Sequence, residues 1–291
     1  MVGSQEVPVA STAIPTLRQQ RLGAELRKLR ERAGLSTSAA AALLGVNQSR
    51  ISNIEAGRYA VGADRVRAMA RHYTCADREL VEALAGMTGG RTRGWWEEYR
   101  ERLTVGLLDL AELEHHAGGM RVAGVMHIPG LLQTTDHARA LFNATVPPLE
   151  QYEVEHRVSF RMKRQAVLHG DDAMPLTAVI HESALRMGYG GASTARAQLK
   201  YLIDMGERDN ITTLVVPFGS GIFPGSGQPI VYAFGPVPQL DTVQLDSDHG
   251  CDFLDAEAQL ARYRTVLDRM EMCALGPDES RDFIHRIERE M

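Results

Sequence analysis

Apolar side chains recur three and four positions apart through the first third of the chain. Leu22, Leu26 and Leu29 alternate with Arg27, Lys28, Arg30, Glu31 and Arg32, the stripe of an amphipathic helix, and Ala33-Gly34 offers a left-handed stop. Ser36 is placed to cap a second, alanine-rich helix over 37–44, whose small side chains let a neighbour approach closely. Gly45-Val46 makes a turn. Asn47 caps a third helix that turns Ile51 and Ile54 inward, and Gly57 ends it. Val66, Met69 and Ala70 predict a fourth helix over 63–72; Leu80, Val81, Leu84 and Met87 predict a fifth over 77–87. Five short helices around one apolar set make an all-α domain over residues 16–87. Residues 1–15, rich in Ser, Thr, Pro and Val, read as a disordered tail, and 88–94 as a glycine-rich linker.

Beyond Trp95-Trp96 the texture changes. Helical periodicity runs over 96–117, 131–142, 150–169, 193–208, 256–272 and 278–290. Short β-branched runs bounded by Gly, Pro and Asp predict strands over 121–128, 176–180, 211–216, 230–234 and 240–245. Residues 95–291 therefore predict an α+β domain with a small antiparallel sheet. The glycine-rich stretch 219–227 has no Gly-Lys-Ser/Thr and opens no helix, so it reads as a hairpin connection between two strands and not as a phosphate loop.

Charge sharpens this division. The 291 residues carry a net −5, but 16–93 hold 14 Lys+Arg against 7 Asp+Glu, and 94–291 hold 18 against 29. A basic head on an acidic body points to a nucleic-acid-binding module joined to something else. Cys75, Cys251 and Cys273 are widely spaced and odd in number, which indicates neither a disulfide framework nor a zinc site and suits a reducing cytoplasm. No apolar run is long enough to span a bilayer, and the N-terminal residues lack the order of a secretory signal.

The third helix carries the candidate chemistry. A helix that enters the major groove must show polar side chains from its first turn. Gln48 and Asn53 can pair bidentately with adenine, Ser49 can donate or accept, and Arg50 can reach guanine or phosphate. Thr37 and Ser38 open the preceding helix, where free N–H groups suit a phosphate, and Arg58 suits another. The plainer reading of Gln48 and Asn53 is solvated helix surface. The series Leu22-Gly23-Ala24-Glu25-Leu26-Arg27-Lys28-Leu29-Arg30, Gly34-Leu35-Ser36, Ala42-Leu43-Leu44-Gly45-Val46 and Ile51-Ser52-Asn53-Ile54-Glu55-Ala56-Gly57 closely resembles the XRE family of bacterial repressors, of the lambda repressor type. The resemblance implies that Gln48, Ser49 and Asn53 face bases, and that Arg30 and Glu55 form a structural pair holding the reader at its angle. Thr37 stands where that family usually has a phosphate-bracing glutamine.

The body resembles the large C-terminal domain of WhiJ-like actinomycete regulators. Trp95-Trp96, Ile128-Pro129-Gly130-Leu131-Leu132-Gln133-Thr134 with Ala138-Arg139, Arg161-Met162-Lys163-Arg164-Gln165 and Leu275-Gly276-Pro277-Asp278-Glu279-Ser280 carry the likeness, with His137 in place of an expected tyrosine. It implies a regulator of development or secondary metabolism, often with a small partner protein.

Other candidates have plain readings. Asp246 to Asp255 holds alternating carboxylates with His249 and Cys251, but it lacks a closing glutamate and reads as an acidic turn into the following helix. His181-Glu182 ends a strand with no nucleophile motif beside it. The expectation is a dimeric, cytoplasmic, DNA-binding transcription regulator without cofactor or metal. Its body supplies the dimer contact and senses a ligand or partner protein. The alternative is an enzyme or toxin-like effector, signalled by a deep pocket on which His181, Glu182 or Asp252 converge.

Overall fold

Helix α1 (Leu17–Arg32) begins where Thr16 and Gln19 cap each other reciprocally, and its chain reverses at Gly34, φ +68°. The computed structural model describes residues 14–89, 94–221, 224–225, 227–247 and 250–291. Helices α2 (Thr37–Leu43), α3 (Gln48–Glu55), α4 (Ala63–His72) and α5 (Arg78–Gly86) follow. Ser36, Asn47 and Asp77 cap α2, α3 and α5 by accepting from backbone N–H groups. Leu26, Ile51, Val66, Met69 and Leu84 are wholly or almost wholly buried and make this core. The predicted helices are present, with ends shifted by a residue or two. The tail over 1–13 and the linker over 90–93 lie outside the described residues.

The chain divides into two units, residues 1–94 and 95–291. The second opens with a 3₁₀ turn (Trp95–Tyr99) and α6 (Val105–His116), so the helix expected over 96–117 breaks at Arg100 to Thr104. Strand β1 (Gly119–Gly124) leads through a short 3₁₀ turn (Gly130–Leu132) to α7 (Thr135–Asn143) and α8 (Gln151–Arg164). Then come β2 (Leu176–His181), α9 (Glu182–Arg186), α10 (Ala192–Gly206) and β3 (Ile211–Val216). A meander of β4 (Ile230–Phe234), β5 (Thr242–Ser247) and β6 (Gly250–Leu254) precedes α11 (Glu257–Cys273) and α12 (Pro277–Glu290).

The sheet corrects the antiparallel expectation: it is mixed, in the order β3-β2-β1-β4-β5-β6. β1 pairs parallel with β2, and β2 with β3; β4 lies antiparallel to β1, and β5 and β6 continue antiparallel. The physical reason is the helices between the first three strands, which return the chain to the starting end of the sheet. The hairpin expected at 219–227 is overturned too. β3 is an edge strand and β4 sits beside β1, so this connection passes the ends of β2 and β1 (Ile222, Phe223 and Ser226 lie outside the described residues). The acidic stretch is not a turn into a helix: Asp246 lies in β5 and Gly250–Leu254 forms a sixth strand, with Asp246 opposite Cys251 and Leu245 opposite Asp252.

Both faces of the sheet are covered, because each strand alternates apolar side chains. Met120, Val122, Ala178, Ile180 and Val215 pack with Leu199, Leu202, Ile284 and Ile287 on one side. Val179, Leu214, Tyr232 and Val243 pack with Leu260, Leu267 and Met270 of α11 on the other. A third cluster joins Trp96, Tyr99, Leu108, Ala111 and Phe160, with Trp95 against it, so the adjacent tryptophans share one cluster.

Candidate nucleic-acid interface

Helix α3 is short, and its position depends on contacts at both ends. At its start the Asn47 side chain accepts from the Arg50 N–H at 2.9 Å and from the Ser49 hydroxyl at 3.0 Å. The first turn is thereby fixed with Gln48 and Ser49 exposed and Arg50 half-buried. Ser49, donating to the cap, presents its lone pairs outward, so in this conformation it acts as an acceptor. Asn53 is half-buried one turn on, and its carbonyl accepts from the N–H groups of Arg58 and Tyr59, closing the helix beyond Gly57. Arg58 is exposed just past that stop. Thr37 and Ser38 open α2, half-buried and exposed respectively, above the Ser36 cap.

At its far end α3 is locked to α1. Arg30 Nε donates to Glu55 Oε1 at 2.6 Å and Arg30 Nη2 to Oε2 at 2.9 Å, while Nη1 reaches the Leu35 carbonyl at 2.8 Å. Both side chains are less than a tenth exposed. A buried two-pronged ion pair holds one geometry, unlike a surface pair. The hydrogen bonds that Arg30 donates to Glu55 hold its guanidinium above its ordinary range, against the opposing effect of burial. Gly23 does the rest: a Cβ there would stand 2.4 Å from the Glu55 carbonyl oxygen and 2.6 Å from that of Ile54. Only a glycine lets α1 lie so close to the end of α3. Arg65 of α4 secures the other helix of the pair by donating to the Leu44 carbonyl at 2.9 Å. Sequence spacing singled out neither Gly23 nor Arg65 for these contacts. A glycine inside a strong helical stripe was the available signal for the first.

In the body, two stretches separated by some thirty residues meet. Gln133 Nε2 donates to the Ile128 carbonyl at 2.6 Å, Arg161 Nη1 donates to Gln133 Oε1, and Gln165 Nε2 donates to the Gln133 carbonyl at 2.6 Å. Gln198 of α10 completes the knot, donating to the Leu132 carbonyl and accepting from the Thr134 N–H, each at 2.7 Å. Behind it, Arg164 and Glu114 form a buried bidentate pair. Burial opposes the charge of Arg164, but Glu114 outweighs it and raises the guanidinium.

The groups that would signal an enzyme do not converge. His181 caps α9, accepting on Nδ1 from the Ser183 N–H, and Ser183 Oγ donates to the Val125 carbonyl. Burial works against the charge of Glu182, yet the Phe218 N–H and Arg186 bind it and hold its pKa low. Asp252 is exposed on β6, separated from β2 by three strands. Among the described residues no group of three or more His, Cys, Asp or Glu side chains could hold a metal, and no helix is long and apolar enough to cross a membrane. Asp248 and His249 of the acidic stretch lie outside the described residues.

Residues 21–84 match the family described as Helix-turn-helix domain, which takes in α1 to α5 except for the outermost turns. Residues 107–286 match Domain of unknown function (DUF5753), from α6 into α12. No curated protein and no solved structure matches the chain. The helix-turn-helix match and the braced, polar-fronted α3 agree in suggesting DNA binding with a regulatory purpose. With its body matched over more than half of the full length, the chain belongs to the DUF5753 family and carries a helix-turn-helix domain at its head.

Proposed function

We propose that the protein is a sequence-specific transcription regulator of the XRE type, with α3 seated in the major groove of double-stranded DNA. The observation that carries this reading is the exposed first turn of α3, polar at Gln48 and Ser49, on a helix whose far end is fastened by Arg30 and Glu55. Gln48, Ser49 and Asn53 read base edges; Arg50, Arg58 and the start of α2 at Thr37 and Ser38 hold phosphates. One such helix reads few base pairs, so the protein acts as a homodimer on paired half-sites. The body supplies the dimer contact and senses a small-molecule effector or small partner protein. It performs no catalysis, and the protein works in the cytoplasm on the nucleoid. The WhiJ-like motifs of the body support a developmental or metabolic regulator from an actinomycete.

Selection of bound sites from random duplex DNA, followed by titration in salt, tests the reader. Gln48→Ala should relax preference at particular base pairs and cost about 1–3 kcal/mol there. Arg58→Ala should weaken all sequences alike and lower the salt slope by about one. An unchanged site profile for Gln48→Ala would remove the base-contact assignment. Sedimentation of the full chain showing only monomer at micromolar concentration would remove the dimer.

A further inference from the structure

Three side-chain atoms in one neighbourhood of the body are sealed from solvent with no hydrogen-bond partner: Nδ1 and Nε2 of His137, and Nε of Arg161. His137 is 3 % exposed. Native proteins rarely leave buried donors and acceptors unmatched, and each instance calls for a reason. Aromatic rings surround this group. The Tyr189 ring stands 5.7 Å from that of His137 and 5.4 Å from that of His127, and the Arg161 guanidinium lies 4.6 Å from the centre of Phe142.

Arg161 also differs from its neighbour in charge balance. Arg164 is neutralised by Glu114 in a buried pair. Among the described residues no carboxylate lies within ion-pair distance of Arg161; Glu114 and the exposed Asp246 act on it only from further away. Burial, with Arg164 alongside, pulls its guanidinium down to about 9. Burial, with His127 and Arg161 adding to it, takes His137 to about 4, which leaves a neutral ring with one N–H and one bare nitrogen.

The backbone is shaped around the same place. It lies beyond the carboxyl ends of the parallel strands β1 and β2, where ligands of open α/β sheets commonly sit. After β1 the chain turns so tightly that a Cβ on Gly124 would stand 2.4 Å from the His127 carbonyl oxygen. After β2, Tyr189 is delivered just ahead of Gly190, φ +77°, where a Cβ would meet Thr194 and Ala140 at about 3 Å. Gln133 takes Arg161 Nη1 and so sets the plane of the guanidinium.

We propose that Arg161 and His137 are the binding site for a small organic oxyanion, a carboxylate or phosphate ester, whose body packs on Phe142 and Tyr189. The guanidinium fork matches an oxyanion, the oxyanion supplies the countercharge that Arg161 lacks, and the His137 ring donates one further hydrogen bond. This deepens the effector reading above and rests on it only for the consequence at DNA.

The test uses the full chain without DNA. Inorganic phosphate or benzoate at about 10 mM should raise the melting temperature by several degrees over chloride of equal ionic strength. The imidazole nitrogen resonances of His137 should move over the same titration. Arg161→Met should abolish the thermal shift, and Arg196→Ala, at an exposed arginine of α10, should retain it. Neither anion moving the melt or the His137 resonances would overturn the site, as would an undiminished shift in folded Arg161→Met. Should Arg161→Met not fold, Arg161→Lys decides. It keeps the charge but lacks the fork, so affinity should drop roughly tenfold, and unchanged affinity overturns the assignment. Operator affinity is measured separately. Anion binding that leaves it unchanged keeps the site and removes the effector reading, and loss of DNA binding altogether leaves the thermal shift standing.

Discussion

A single buried residue can set the behaviour of the unit it belongs to, and two here do so by opposite means. Glu55 is buried because Arg30 meets it with two hydrogen bonds. Glu55→Ala should therefore cost about 3–5 kcal/mol, since it leaves a guanidinium in the core without its carboxylate. Chemical denaturation of the full chain measures it, and a loss under about 1 kcal/mol would mean that solvent reaches Arg30. The His137 ring is buried with no hydrogen-bond partner for either nitrogen, and burial favours its neutral form. Between its ordinary 6.5 and about 4, the unfolded chain holds the proton and the folded chain does not. Stability should thus fall as pH drops through that window, by about 1.4 kcal/mol per pH unit from this residue. His137→Gln should flatten that part of the profile relative to the parent; identical profiles would mean that His137 is protonated in the fold. The sequence showed Arg30 and Glu55 through a recurring motif, whereas His137 was visible only as an unusual residue. Its burial depends on distant residues, and the Tyr189 ring stands against it at 5.7 Å.

At the scale of elements, the packing of α1 on α3 decides how the candidate reader is held. Gly23→Ala would set a methyl group against two backbone carbonyls that cannot swing aside. The expected result is a loss of about 1–3 kcal/mol and a shifted α3, with weaker DNA binding than Ala24→Ser, a control at the next position of α1. Equal DNA affinity for the two variants would show that the close approach is dispensable. Apart from the short α9, which was read as a strand end, the helices were legible from apolar spacing and caps, and so were five of the six strands, because those signals are local. β6 was not: Gly250 to Leu254 opens on a glycine and carries Asp252 at its centre, and only pairing with β5 makes it a strand. Strand direction was also out of reach. Two strands joined through helices can be parallel neighbours, and a glycine-rich loop can cross the sheet instead of folding a hairpin.

Among the described residues each unit packs its own apolar side chains, the first around Leu26, Ile51 and Met69, the second on both faces of the sheet and around Trp96 and Phe160. Calorimetry of the full chain should resolve two transitions. Glu55→Ala should lower one of them, and Glu114→Gln, which strips the buried Arg164 of its charge partner, the other. A single transition moved by both substitutions would show that the two units unfold together.

Local chemistry is what the sequence determined unaided. Caps, glycine stops, helical stripes, the basic head and the polar front of α3 depend on neighbours within a few positions, and that was enough to expect a helix-turn-helix on an α+β body. The tertiary structure decided whatever depends on distant residues meeting. It set the parallel half of the sheet, the closeness of Gly23 to the end of α3, and the knot of Gln133, Arg161, Gln165 and Gln198. It also left His137 and Arg161 with unmatched polar atoms in one neighbourhood of the body. Burial is a property of the assembled chain, and so are the pKa shifts and the unpaired hydrogen-bonding groups that follow from it.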